Sequence, residues 1–346
     1  MGTTLNDADA LLQTRGTSQS LGAWVMAVAF CRTGKTLAFA LGDGSLRIAE
    51  VATPEAEWRN VPVHQGTTRA VVADCTDGYL TGGDDGRLVH IAPEGEASEL
   101  AGFGAMKWVE NLAAHPAGVR LAAVGRAVHV LDGKGDRLKS LMHPSTVTGV
   151  ALDAKGKRIV ASHYNGASLW YVAAKEDKPR LLEWKGSHIG IAIHPEGTHV
   201  VTAMQEAALH GWRLEDGQHM RMSGYPGKTR SMGFTQSGRW LATAGSEAIV
   251  LWPFFGGGPM GKAPTELAGG DDVLVSRVAC HPKHDVVAAG FSDGLVLMAE
   301  VSSGKIVPVA APGRGAISAL AWNPAGSHLA FGTEQGFCGV VNLSRQ

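Results

Sequence analysis

Short apolar runs separated by glycine-rich turns recur along this chain at a nearly fixed spacing. The clearest run of each unit begins at position 37, 79, 121, 159, 200, 241, 286 or 329, with intervals of 38 to 45 residues. Each unit opens with an inner apolar run, such as WVMAVAF (24–30), WVENLAA (108–114), TVTGVAL (146–152) or ISALAW (317–322). A tight turn follows, then a second run such as LAFAL (37–41). The next turn carries Asp43-Gly44, Asp85-Gly86, Asn165-Gly166 or Asp293-Gly294. Asp, Asn and Gly supply the backbone angles of tight hairpins. A third run ends near Trp170, Trp212 or Trp252, and a more polar stretch such as DRLKSLM (136–142) closes the unit. Four short strands joined by tight turns, repeated at this period, predict the blades of a β-propeller.

The inner runs are nearly continuous Val, Ala, Leu and Ile, so both faces of each sheet need cover. Stacking the units around a ring buries both faces and leaves no long exposed edge. Eight units predict an all-β, eight-bladed propeller; seven blades plus an extra hairpin is the alternative. The eighth unit ends after its third run, at 341–343. Residues Gln13–Leu21 are therefore expected to close the ring as strand d of the last blade. That leaves 1–12 as an N-terminal tail and 13–346 as a single propeller domain.

The pattern resembles the WD40 family across roughly residues 14–343. That family places Gly-His before strand a, Ser or Thr in strand b, Asp-Gly between strands b and c, and Trp-Asp at the end of strand c. Here His143 takes the Gly-His position behind Met142. Thr81, Thr202 and Thr243 take the strand b position, and Trp212 and Trp252 the Trp position. No unit has a complete Trp-Asp pair, so the repeats are degenerate. The resemblance implies a non-catalytic interaction module or scaffold that docks a protein or peptide on the face carrying the d–a loops, where the starts of the inner strands lie. Trp24, Met26, Arg69, Trp108 and Glu110 start three successive inner strands, and Lys228, Arg230 and Arg277 also reach the mouth of the channel. Exposed Trp and Arg at such central positions suit protein recognition. The plainer reading packs Trp24 and Trp108 between blades.

Composition narrows the partner. Net charge is −1, and charged residues are 18% of the chain against about 25% in typical domains, so no phosphate-binding face is built and nucleic acid is not expected. The opening MGTTLNDADALLQTRG lacks the basic and apolar segments of a signal peptide, and no apolar run reaches the ~18 residues of a membrane span. The four cysteines, Cys31, Cys75, Cys280 and Cys338, fall in separate units without CxxC spacing. These features point to a cytoplasmic monomer with reduced thiols.

Two motifs invite chemical readings. Gly256-x-x-x-x-Gly261-Lys262 imitates a phosphate-binding loop, but Ala263 stands where Ser or Thr must hold Mg²⁺, and Pro264 follows. The surrounding 253–267 insertion, with four Gly and three Pro, reads as a mobile loop. The chain also carries 14 histidines. His115, His194 and His281 sit in a–b hairpins and read as turn formers; the pairs His194/His199 and His281/His284 could hold only a weak surface metal. His143, His163 and His188 lie on the d–a and b–c side of neighbouring units. They form the one trio that could bind a metal, with zinc the fitting ion. Otherwise no cofactor is expected. No Gly-x-Ser-x-Gly or His-Glu-x-x-His motif is present, so the chain is not read as an enzyme. A propeller enzyme with a central-channel site is the remaining alternative.

Overall fold

A computed structural model describes residues 10–344 except Asp271. Helix α1 (Ala10–Arg15) leads into β1 (Gly16–Ser20). One sheet follows from β2 (Val25–Phe30), β3 (Thr36–Leu41), β4 (Ser45–Glu50) and β5 (Arg59–Pro62). The next comprises β6 (Thr68–Ala73), β7 (Tyr79–Gly83), β8 (Arg87–Ile91) and β9 (Ala97–Gly102). Then come β10 (Val109–His115), β11 (Val119–Val124), β12 (Ala127–Asp132) and β13 (Arg137–Met142). A six-stranded sheet holds β14 (Gly149–Leu152), β15 (Arg158–Tyr171), β16 (Arg180–Ile193), β17 (His199–Met204), β18 (Leu209–Arg213) and β19 (His219–Met222). Two four-stranded sheets follow: β20 (Met232–Phe234), β21 (Trp240–Thr243), β22 (Ile249–Pro253) and β23 (Thr265–Leu267); then β24 (Val275–Cys280), β25 (Val286–Phe291), β26 (Val296–Glu300) and β27 (Ile306–Ala310). In the last sheet β28 (Ile317–Trp322), β29 (His328–Thr333) and β30 (Phe337–Asn342) are completed by β1, in the order β1-β30-β29-β28.

The chain is an all-β propeller. Inner strands touch in a closed cycle: β2 with β6, β6 with β10, β10 with β14, β14 with β16, β16 with β20, β20 with β24, β24 with β28, and β28 with β2. Every residue of β3, β11 and β17 is buried. The apolar clusters straddle neighbouring sheets, as when Val25, Phe39 and Leu41 pack with Ala319, Ala330 and Val340. Such sheets cannot hide both faces alone, which is why the ring forms.

The expected eight separate blades are corrected to seven hydrogen-bonded sheets, because units four and five share one. Within β15 the chain folds back at Asn165-Gly166 (φ 67° and 138°), where His163 bonds Ser168 at 2.9 Å, and Val172 N–H closes the hairpin on Lys157 O. β16 pairs with β15 through its first half and with β17 through its second. It is therefore the outer strand of one unit and the inner strand of the next, and this sheet alone gives the central cycle two strands. The closing strand pairs with β30 from Gly16↔Val341 to Ser20↔Phe337. It is shorter than the expected Gln13–Leu21, since Gln13–Arg15 belong to α1, where Leu12 is buried against Phe331 and Val341.

Both ends of the ring are tied across sheets. On the d–a side, Thr148 donates to His188 O, Ser231 to Val278 O (3.2 Å), Ser276 to Ile317 O (2.7 Å) and Ser318 to Val25 O (2.6 Å). On the opposite side, the ring Nε2 of His115, His194 and His281 meets a carbonyl in the next unit's a–b turn, at Ala154, Gly238 and Gly326. In all three, Nδ1 accepts a backbone N–H of its own turn, so Nε2 is the donor. A Cβ on Gly326 would lie 2.3 Å from the His281 ring. The histidines read as turn formers are also inter-unit ties.

Candidate functional site

The d–a loops and b–c turns share one end of the ring: Val63 and His64 N–H bond Gly44 O, and His143 N–H bonds Arg126 O. At this end the inner strands carry a recurring irregularity. The register slips between Val25/Ala27, Thr68/Ala70, Val109/Asn111, His188/Gly190, Val275/Arg277 and Ile317/Ala319. The residues left opposite no partner are Met26, Arg69, Glu110, Ile189, Ser276 and Ser318. Such bulges re-aim side chains at the rims of closed sheets. Ser276 and Ser318 use the position for the ties above, and Ile189 packs in a core cluster. Met26, Arg69 and Glu110, on three consecutive sheets, make no such bond to the next inner strand's backbone.

These three stand among exposed aromatics. Trp24 is 47% exposed, Trp108 50% and Met106 87%, so the plainer reading of two tryptophans packed between blades does not hold. The Arg69 guanidinium lies 4.1 Å from the centre of the Trp108 ring, bonds Asp84 and reaches Glu110 at 3.4 Å. Burial alone would raise the Asp84 carboxyl, but Arg69 and the Thr67 N–H outweigh it and hold the group below its ordinary value. A hydrogen-bond chain continues to the first sheet: Thr67 N–H donates to Asp84, Thr67 Oγ1 to Gly42 O, and Gly42 N–H to Trp24 O. The structure thus brings Arg69, Trp108 and Glu110 into contact and links Trp24 to them. Met106 and Asp84 were missed. Asp84 precedes the Asp85-Gly86 turn that marks the unit; Met106 sits in a loop without a periodic signature.

Lys228, Arg230 and Arg277 lie on the far side of the channel. Lys228 reaches Gln205 at 3.5 Å, and Arg277 donates to Ser318 O and Ser276 O. The channel holds an upper cavity of about 380 Å³, lined by Glu110, Asn111, Thr148, Arg230 and Ser231 among others, and a lower one of about 490 Å³ faced by Phe30, Phe234 and Trp322.

The histidine trio is brought close but is engaged elsewhere. His143 and His163 rings lie 5.7 Å apart. His163 bonds Tyr164 O and Ser168, and His188 bonds Thr202 and Trp184 O through both nitrogens. His143 Nε2 accepts from the Trp170 indole, while its buried Nδ1 has no partner. Among the described residues, no group of three or more His, Cys, Asp or Glu is placed to hold a metal. The 253–267 insertion is tied rather than loose: Lys262 donates to the carbonyls of Phe255, Gly256 (3.2 Å) and Gly258 (2.8 Å). A loop that turns carbonyls inward cannot cradle phosphate with its N–H groups.

Three buried histidines make the fold acid-sensitive. Burial, aided by His163, pushes His143 down to about 4; burial with His194 pushes His199 to about 4; burial with His219 pushes His210 to about 3. Unfolded histidine titrates near pH 6.5. Between these values the unfolded chain binds protons that the native ring refuses. This stability is therefore complete above about pH 6.5 and is lost as pH falls toward 4 and 3. Urea midpoints from pH 7.5 to 4.5 should fall steadily, and His143→Gln should flatten the fall; a level profile contradicts the assignment.

Comparisons with known proteins agree with this architecture. Residues 278–346 match the family model described as the anaphase-promoting complex subunit 4 WD40 domain. Autophagy-related protein 16 of Arabidopsis thaliana is 21% identical over 305 residues, covering 85% of this chain and 59% of that protein. Cilia- and flagella-associated protein 52 of Sus scrofa is 21% identical over 273 residues, covering 78% of this chain and 37% of that protein. This chain thus spans less than two thirds of either relative. The crystal structure of the computationally designed Ika8 protein superposes with a TM-score of 0.74 at 17% identity, covering 94% of this chain and 98% of that one. Among the described residues no helix is long and apolar enough to cross a membrane.

Proposed function

We propose that this chain, a β-propeller of degenerate WD40 repeats, is a non-catalytic docking module whose d–a face receives a protein or peptide across Trp24, Met26, Arg69, Trp108 and Glu110. One observation carries the reading. Met26, Arg69 and Glu110 occupy bulge positions that Ser276 and Ser318 use to bond the next inner strand's backbone, yet none of the three bonds that backbone; Arg69 and Glu110 meet only side chain to side chain, at 3.4 Å. Arg69 is held in place by Asp84 and Trp108, so docking costs it little further ordering. Two half-exposed tryptophans flank it, the residue type that dominates binding energy at interfaces. The four cysteines are all free thiols, which goes with a reducing compartment.

The test is affinity capture with the wild-type chain against Trp108→Ala and Arg69→Ala, with Arg180→Ala on the opposite end as control. Loss of a central aromatic or arginine anchor costs about 2 kcal/mol or more. Partners captured by wild type and the control should therefore drop at least about tenfold with both face variants. Full retention of every partner by both would refute the docking face.

A further inference from the structure

Two arginines near the channel mouth, Arg230 and Arg277, form no ion pair among the described residues. Arg277, on the inner strand β24 and partly buried, donates Nε to Ser318 O of the next inner strand at 2.7 Å and Nη1 to Ser276 O at 3.0 Å. Both acceptors are neutral carbonyls. They fix the guanidinium without balancing its charge. Arg230, exposed just before β20, lines the upper cavity. Among the described residues neither arginine has a carboxylate within ion-pair distance; the ion pairs of this face gather instead around Arg69 and Arg87. Burial and the neighbouring charge of Arg230 both weaken Arg277's hold on its proton, while Glu334 acts the other way from outside contact range. Glu110 lines the same cavity but turns toward Arg69.

Two like charges at a confined mouth repel each other, and a half-buried charge without a counter-charge is costly. Planar guanidinium forks match carboxylates bidentately. A neutral apolar occupant would deepen the cost by stripping water from both groups; a cation would add a third like charge. We propose that the channel mouth between Arg230 and Arg277 receives an acidic side chain of the docked partner, so that the partner peptide is anchored by a carboxylate here while its apolar residues lie on Trp24 and Trp108. This rests on the docking face proposed above and adds the charge of the partner segment.

Fluorescence anisotropy with a fluorescein-labelled hexaglutamate peptide tests it on the whole chain, with a hexalysine peptide as counterpart and glutarate and inorganic phosphate as competitors. Hexaglutamate should bind saturably and hexalysine should not. Arg230→Gln and Arg277→Gln should each weaken hexaglutamate at least about tenfold, the loss of one charge-assisted pair. Because Arg277 also ties the ring, Arg277→Lys, which keeps the charge but not the fork, should fold and still weaken binding. Arg230→Glu, at an exposed position, should abolish it. Equal binding by wild type and Arg230→Glu overturns the proposal. So does glutarate or phosphate binding as tightly as the peptide, which would mark an adventitious ion only. The capture experiment separates the two claims. Partners lost with Trp108→Ala but kept with Arg230→Glu would leave the docking face and remove the acidic anchor. Hexaglutamate sensitive to Arg230→Glu, with partners indifferent to Trp108→Ala, would do the reverse.

Discussion

Asp74→Ala is expected to lower the unfolding free energy by about 3–5 kcal/mol, the cost of breaking a buried ion pair from one side. Asp74 is fully buried and takes two bonds from the Arg120 guanidinium, at 2.7 and 2.8 Å, and one contact from His90 at 2.6 Å. Arg32 of the preceding unit reaches the same place, donating to Asp74 O, Ala73 O and Ala114 O. Two consecutive units therefore meet at the carboxylate, and Arg32 ties a third to the backbone beside it. Burial would raise its pKa, but His90 and Arg120 outweigh that and hold it well below the usual carboxylate range. Alanine leaves Arg120, itself buried, without a counter-charge. Replacing both partners with apolar residues, Asp74→Leu with Arg120→Met, should recover most of the loss, since an ion pair and a packed apolar pair are often of similar worth. Denaturant titration of the three chains measures this. A loss under about 1 kcal/mol for Asp74→Ala would show that the pair does not hold these units together.

Much of this architecture was legible because a propeller is written once per unit. The spacing of apolar runs located the inner strands. The missing fourth run of the last unit pointed to the N-terminus as its replacement, and β1 is there. What the period did not carry was how units touch. The histidine ties bridge residues 39, 44 and 45 apart, about one repeat, so a signal existed. Reading it required knowing that the acceptor is a carbonyl, which no residue type announces. The Asp74–Arg120 pair spans 46 residues but, among the described residues, occurs at one junction only, so no repeat reveals it. The sharing of a sheet by units four and five turns on the corner at Gly186 (φ 128°), where the outer strand runs directly into the next inner one. At the candidate site, Arg69, Trp108 and Glu110 stand out in the sequence because they lie at the starts of inner strands. Their mutual contact follows from the bulges, which displace the second strand residue toward the rim. Spacing suggested that the histidine trio could converge, but the hydrogen bonds that occupy His163 and His188 come from local geometry that spacing does not specify.

The second large effect concerns closure. β1 supplies the outer strand of the last sheet, Leu21 N–H bonds Gly336 O at 2.8 Å, and Leu12 fills a pocket of the apolar cluster around Phe331 and Val341. Without this segment β30 becomes an open edge, which invites pairing with other chains, and the Leu12 site is left empty, a loss of about 2–5 kcal/mol by itself. Thermal melting of a variant lacking residues 1–21, followed with and without a synthetic peptide spanning residues 10–21, tests the closed ring most directly. The closed ring predicts a melting temperature lower by about 10 °C or more, concentration-dependent aggregation, and partial recovery when the peptide is added. A shortened chain that melts with the full-length protein and stays monodisperse would contradict it.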